Sequence, residues 1–304
     1  MFNNYIYLMK DAISILIPTY NDVCIKLVKS LQVQASALPE LQYEIIVADD
    51  GSTDIEVIKL NREINSLPHC KYVEREKNAG RAAIRNFLVR QSQYPWLLFI
   101  DSDLSLDNKL FVRNYMLSDG EVVVGGLTIG GNHAVWRDNL RYRYEKACEK
   151  AHDYRHRQQK GEKEFRTTNF LISKTVMEEC PFNESFTHYG YEDVMLGKDI
   201  CAHGYDILHI DNPTLLCNYE SNLHFVQKTE EACRTLYHFR KELHGYSKLI
   251  SFQELVRKTP FAYSMIRAAY PCVSMHIKAR LTGKDPSVFL YNLYKLLYFT
   301  RLDL

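Results

Sequence analysis

Apolar residues arrive along the first hundred positions in bursts of two kinds. AISILIP (12–18), YEIIVADD (43–50) and PWLLFIDSD (95–103) are short continuous runs, and CKYVERE (70–76) is a briefer one. Between them, over about 21–36, in IEVIKLNREIN (55–65) and in AGRAAIRNFLVRQ (79–91), apolar positions recur at helical spacing. Short continuous runs read as strands buried on both faces, and the periodic stretches read as helices. Strand and helix alternating four times predict an α/β fold with a parallel sheet covered on both faces. Further on, YGYEDVMLGKDICAHG (189–204) reads as a helix opened by Glu192 and Asp193 and ended by Gly204. Residues 287–301 also fit a helix better than a strand.

In such sheets ligands bind beyond the carboxyl ends of the strands. The polar signals gather there: PTYND (18–22) after the first run, DDGSTD (49–54) after the second, DSD (101–103) after the fourth. DDGSTD also fits a turn at Gly51 with Ser52, Thr53 or Asp54 capping the next helix. Alternate residues of an extended segment point the same way, so Asp101 and Asp103 are expected to face one site, their repulsion relieved by a divalent cation. Two hard oxygen ligands suit magnesium or manganese; solvated acids at a strand-to-turn junction are the alternative. Arg81 and Arg85 lie one turn apart on one helix face, placed for phosphate or for a structural part. Glu192 and Asp193 gain from the helix dipole whatever else they do.

The series PTYND, VADDGSTD, NAGRAAIRN, FIDSD and GYEDVMLGKD resembles the family 2 glycosyltransferases of the GT-A fold, over about residues 12–220. The resemblance implies a Rossmann-like, mostly parallel sheet flanked by helices. It implies an inverting transferase that uses a UDP-sugar, with Mn2+ or Mg2+ on the diphosphate. By resemblance, Asp103 is the direct metal ligand, and Asp101, with Ser102 beside it, is a helper near ribose or metal. Asp49 matches the position that reads the nucleotide base, Asp50 reaches the ribose or caps a helix, and Pro18, Thr19 and Tyr20 wrap base and ribose. Asp193 becomes the candidate base, Glu192 an acceptor contact, and Thr168 and Asn169 contacts beside the acceptor pocket. The acceptor implied is a glycan or lipid-linked saccharide in surface polysaccharide assembly. Two departures stand out. The stretch NPTLLCNYE (212–220) lacks the histidine that often completes the metal site, leaving the diphosphate alone, His209 or His224 to assist Asp103; and Leu104 follows DSD where an acid is common.

Composition narrows the rest. At 304 residues and 46% hydrophobic content, the chain supports one large domain with an appendage. We read 1–250 as the catalytic domain, with a nucleotide half at about 12–105 and an acceptor half at about 106–220, and 251–304 as a helical extension. Thirty-eight basic residues against 37 acidic ones give no field favouring nucleic acid. MFNNYIYLMKDAISILIP is unlike a secretory signal, no apolar run nears the ~18 residues of a membrane span, and eight scattered cysteines read as free, mostly buried thiols. A cytoplasmic protein is expected. In 136–173 a charged helix precedes an expected mobile loop around Gly161, where Arg155, His156 and Arg157 meet diphosphate or form a solvated face. The extension carries eight lysines and arginines against three acids, interleaved with Phe261, Tyr263, Tyr270, Phe289, Tyr291, Tyr294, Tyr298 and Phe299 among its aromatics. It either lies peripherally on an anionic leaflet or packs back on the domain. A nucleotidyltransferase and a non-catalytic nucleotide-sugar binder are the other classes; the missing G-x-G-x-x-G argues against a dehydrogenase.

Overall fold

The structure, a computed structural model, describes residues 10–303. The first half of the segment read for a targeting signal, residues 1–9, lies outside the described residues. The strands are β1 (Ala12–Thr19), β2 (Gln42–Asp49), β3 (Cys70–Glu74), β4 (Trp96–Ile100), β5 (Leu104–Ser105), β6 (Val122–Val124), β7 (Leu127–Ile129), β8 (Asn169–Ser173), β9 (Ile207–His209) and β10 (Thr214–Leu216). The first helices are α1 (Ile25–Ser36), α2 (Ile55–Arg62), α3 (Arg81–Gln91), α4 (Phe111–Met116), α5 (His133–Trp136), α6 (Leu140–Cys148) and α7 (Tyr154–Lys160). They are followed by α8 (Lys174–Glu179), α9 (Glu192–Ala202), α10 (Asn222–His238), α11 (Lys248–Arg257), α12 (Pro260–Thr282) and α13 (Val288–Arg301).

Seven strands form the central sheet in the order β3-β2-β1-β4-β8-β6-β9. The four expected strands are parallel neighbours, and their register sets Thr19 beside Asp49 and Ile15 beside Leu98. The next strand, β8, runs antiparallel to β4, with Ile100 opposite Asn169. The sheet is therefore mostly parallel with one reversed strand. A small second sheet has the order β5-β10-β7. The continuous apolar runs follow from burial on both faces: Ile13, Ile15, Leu16, Ile17, Leu97, Leu98, Phe99 and Ile100 are all inaccessible. Phe99 stacks on Phe170 at 4.8 Å across the antiparallel pair, an offset aromatic contact in the middle of the core.

The chain divides into two compact units. One comprises the chain up to Thr128 with Ala151–Thr187 and Leu196–Leu216, and contains the central sheet. The other takes Ile129–Lys150, His188–Met195 and everything from Cys217 on. Within that second unit α13 packs on α6 and α10. Tyr291 lies against Tyr144 at 5.1 Å and Phe225 at 5.2 Å, and its hydroxyl pairs with Thr229 at 2.9 Å.

Two expectations change, and burial bears on the open reading of the extension. The segment around Gly161 is ordered secondary structure: Asp153 caps α7 by accepting from the backbone of Arg155 and His156, and a 3-10 turn, Gly161–Glu164, follows. Of the extension's aromatics, Tyr270, Tyr291, Tyr294, Tyr298 and Phe299 are buried, so most face inward. None of the eight cysteines forms a disulfide, but only Cys24, Cys180 and Cys233 are buried, and Cys272 is exposed. No helix among the described residues is long and apolar enough to cross a membrane.

Candidate active site

Within the sheet-bearing unit the strand ends of β1, β2 and β4 hold most of the expected residues. Pro18 and Thr19 close β1, with the Thr19 hydroxyl donating to the Asp22 carbonyl at 3.1 Å, while Tyr20 stands 48% exposed just beyond. Asn21, at φ 50°, accepts from the backbone of Thr53 and Asp54 and ties this end to the DDGSTD loop. Gly51 has φ +76°, and a Cβ there would lie 2.7 Å from the backbone of Lys77 and Asn78. Only glycine fits that approach.

Asp49 is 1% exposed. Its carboxylate accepts from the Ser52 amide at 2.6 Å and from the Tyr72 hydroxyl, which raises the tyrosine's pKa, burial contributing most. An ionised carboxylate has about four lone-pair sites, so these two bonds fix Asp49 without exhausting it. Asp50 departs from both of its expected parts. It caps no helix, since Asp54 caps α2. Instead it is buried, pairs with Arg75 at 2.8 Å and accepts from the amides of Ala79 and Gly80 at 3.1 and 2.9 Å. It organises the loop entering α3 and has little surface left for a ribose.

The DSD segment also differs from expectation. β4 ends at Ile100, and Ser102 and Asp103 form a turn, so Asp101 and Asp103 are not an extended pair. Arg85 bonds one oxygen of Asp101 at 2.6 Å and Arg81 reaches the other at 3.3 Å. Asp101 is thus balanced by guanidinium groups and does not fit as a direct metal ligand. Arg85 is 1% exposed and also donates to the Arg81 carbonyl at 3.1 Å; these bonds are spent on positioning Asp101 and the first turn of α3. Arg81 is 41% exposed along its side chain and retains that option. Ser102 is half-buried and Asp103 exposed. A hard divalent cation would find one accessible carboxylate here, Asp103, with diphosphate and water left to fill its remaining positions. No cluster of three or more metal-ligating side chains occurs among the described residues.

Asn169 is corrected outright. It is 0% exposed, donates to the Gly126 carbonyl and to Thr214 at 3.0 Å, and accepts from the Tyr115 hydroxyl. Its amide holds the core together and leaves nothing for an acceptor. Thr168, next to it, is half-buried, and its carbonyl accepts from the Asp101 amide at 3.0 Å. Its hydroxyl is buried without a partner.

Arg157 meets neither of its expected fates. It is buried and donates to the carbonyls of His152, Val124, Gly125 and Ile210 at 2.8–3.1 Å, and to Nδ1 of His209 at 2.9 Å. The other ring nitrogen of His209 faces the Gly161 carbonyl at 3.0 Å, so it must donate and the ring is the neutral Nε2–H tautomer. Burial pushes the His209 pKa down to about 4. With both nitrogens engaged, His209 cannot complete a metal site. Nothing in RHRQQK marks one arginine as buried; only packing distinguishes Arg157 from Arg155.

The second unit carries the start of α9. Gly190, at φ +101°, lies so close to Ala232 that a Cβ would come within 2.9 Å. Tyr191 follows at φ 70°, a conformation costing an L-residue about 1–2 kcal/mol. The sharp entry places Glu192 and Asp193 in the first turn, where unpaired amides favour negative charge. Glu192 is buried and Asp193 half-buried, the latter accepting from the Val194 amide at 2.8 Å. His224 is exposed in the first turn of α10.

Comparison with known proteins places this arrangement. The chain is similar to the poly(ribitol-phosphate) beta-glucosyltransferase of Bacillus spizizenii, 35% identical over 109 residues, covering 35% of this chain and 17% of that one. Chondroitin synthase of Pasteurella multocida is 26% identical over 242 residues, 64% of this chain and 23% of that one. Validoxylamine A glucosyltransferase of Streptomyces hygroscopicus is 28% identical over 222 residues, 63% and 52%. The chain thus spans only 17% to 52% of these relatives' length. Among solved structures, a mannosyltransferase from Pyrobaculum calidifontis in complex with GDP-Man and Mn2+ superposes with a TM-score of 0.53 at 14% identity, over 97% of this chain and 86% of that one. S. aureus TarS in complex with UDP-GlcNAc gives 0.50 at 17%, over 96% and 91%. The fold is that of the GT-A glycosyltransferases. The family's sequence model, Glycosyl transferase family 2, matches residues 14–183 and so takes in the strand ends of β1, β2 and β4 but stops before Glu192. With more than half of its residues inside that match, the chain belongs to glycosyl transferase family 2.

Proposed function

We propose that the protein is an inverting, metal-dependent glycosyltransferase that moves a sugar from a UDP-sugar to a hydroxyl of a glycan or lipid-linked saccharide. The setting is assembly of a surface polysaccharide on the cytoplasmic side of a membrane. The observation that carries this reading is the gathering of Tyr20, Asp49 and an exposed Asp103 at the ends of neighbouring parallel strands, where ligands of such sheets bind, with Arg81 at the start of α3 reaching Asp101. Membership of family 2 supports it. The TarS structure holds UDP-GlcNAc, which supports the uridine donor, and the mannosyltransferase holds Mn2+, which supports the metal.

In this reading the ribose and base lie against Thr19 and Tyr20, and Asp49 accepts the imide N–H of uracil. Arg81 faces the diphosphate, while Arg85 keeps Asp101 from drifting. Asp103 would hold Mn2+ or Mg2+, which supplies charge neutralisation to the departing diphosphate. Asp193 takes the proton from the acceptor hydroxyl as its oxygen bonds to the anomeric carbon and the bond to the diphosphate breaks. One displacement with no covalent intermediate inverts that carbon. Glu192, beside Asp193, contacts the acceptor.

The test is a pair of substitutions. Asp103→Ala is expected to abolish transfer and to weaken UDP-sugar binding in manganese. Asp193→Ala is expected to cut transfer by about 10²–10⁴-fold with donor binding kept. Both proteins should unfold at the wild-type temperature, and a wild-type rate in either removes that residue from its part.

A further inference from the structure

Helix α12 runs for 23 residues in the second unit without one acidic side chain. Phe261, Met265, Ala268, Cys272, Met275 and Ala279 follow one another at spacings of four and three, and all six are exposed. Phe261 is 77% exposed, Met265 57% and Met275 72%. At 3.6 residues per turn, the six fall within about 40° of a single line along the helix. Tyr270 and Leu281, on the opposite face, are buried. The same rotation sets His276 and Arg280 along one edge of the apolar line and Arg267 and Lys278 along the other. Arg267 lies over the Tyr263 ring at 5.5 Å, and Lys278 pairs with Glu230 at 2.6 Å.

We infer that this outer face of α12 docks onto an anionic lipid surface. An apolar line bordered by Arg280 on one edge and Arg267 on the other is the arrangement of a helix lying in the plane of a membrane interface, its apolar side among the acyl chains and its cations among the headgroups. Charge decides between a membrane and a second copy of the chain. Two copies of α12 would set Arg267 and Arg280 against their counterparts with no acid on either helix to offset them. An anionic leaflet attracts each lysine or arginine near it. The buried aromatics of α13 face α10 and α6 within the unit, so the outward apolar role falls to α12. The placement deepens the proposed use of a membrane-held acceptor and rests on that reading only for its purpose.

The experiment is co-sedimentation of the full chain with phosphatidylcholine vesicles, with and without phosphatidylglycerol, in the absence of any sugar nucleotide. Failure there leaves the transfer reaction untouched, and loss of transfer leaves vesicle binding untouched. Binding is expected only to the anionic vesicles, to weaken as salt is raised, and to fall by about tenfold or more in Met265→Asp or Met275→Asp. Met275→Ser serves as the milder variant should the aspartates unfold the helix. Equal binding to neutral vesicles, binding indifferent to these substitutions, or no binding at all overturns the inference. So does a concentration-dependent dimer that Met275→Asp dissolves, which would assign the face to a second copy.

Discussion

At the scale of single residues, charge is made tolerable by partners that the sequence names without locating. Two aspartates flanking Ser102 suggested a shared cation, yet the structure places Asp101 between Arg85 and Arg81. The clue was present in the one-turn spacing of the two arginines, but which way that helix face points depends on packing. Arg85→Met is expected to destabilise the protein by about 1–3 kcal/mol, Arg81 remaining beside Asp101, and to weaken donor binding. Arg85→Lys should recover little, because a lysine cannot serve both Asp101 and the Arg81 carbonyl; denaturant melts and donor titration read both effects. His209 makes a second residue-scale prediction. Its ring sits near pH 4 in the fold against 6.5 in an open chain. Above pH 6.5 neither state is protonated there, and the ring adds nothing to the pH dependence. As pH falls toward 4 the unfolded chain takes up a proton that the native one refuses, so stability is lost across that window, by about 3 kcal/mol in all. Melts of His209→Gln against wild type between pH 7 and 4 should show a shallower acid loss in the variant. Equal slopes would remove His209 as the cause.

At the scale of elements, β1, β2 and β4 were legible because strands covered on both faces must be continuously apolar, and β1 and β2 occupy nearly the predicted residues. Helix α9 was legible from its own ends, Glu192 at the start and Gly204, at φ +88°, beyond its close. The stretch 154–164 was not. Its glycine and charges suit a loop, and the ordering comes from Arg157 reaching three carbonyls and a histidine distant in sequence. The loop into α3 is likewise built by a remote residue. Asp50→Asn should detach it, because an amide cannot pair with Arg75 as a carboxylate does and offers one acceptor where two backbone amides now bond. The expected cost is about 2–3 kcal/mol, visible as a lower denaturation midpoint and faster exchange of the Ala79 and Gly80 amides. Unchanged exchange there would mean that the loop is held by something else.

At the scale of the whole molecule, the prediction concerns which nucleotide the native state recognises. A ligand that binds only the folded protein at 100 times its Kd adds about 2.7 kcal/mol. UDP-sugars with manganese are therefore expected to raise the melting temperature well above GDP- or CMP-sugars, and the rise should shrink without the metal. A larger shift with GDP-mannose would replace uridine in the proposal and take the base-reading part from Asp49. The division into two units bears on what sequence can say at this scale. The second unit is assembled from three separated stretches, and no local pattern announces that 129–150, 188–195 and the last third of the chain belong together. What the sequence determined by itself was the alternation of buried strands with amphipathic helices, the polar strand ends and the acids opening α9, because hydrophobic period and turn chemistry act within a few residues. What only the tertiary structure decided was which charges are buried against which. It turned Asn169 and Arg157 inward, gave Asp101 to two arginines and left the apolar line of α12 facing out, since a side chain's surroundings are set by segments that fold against it from far along the chain.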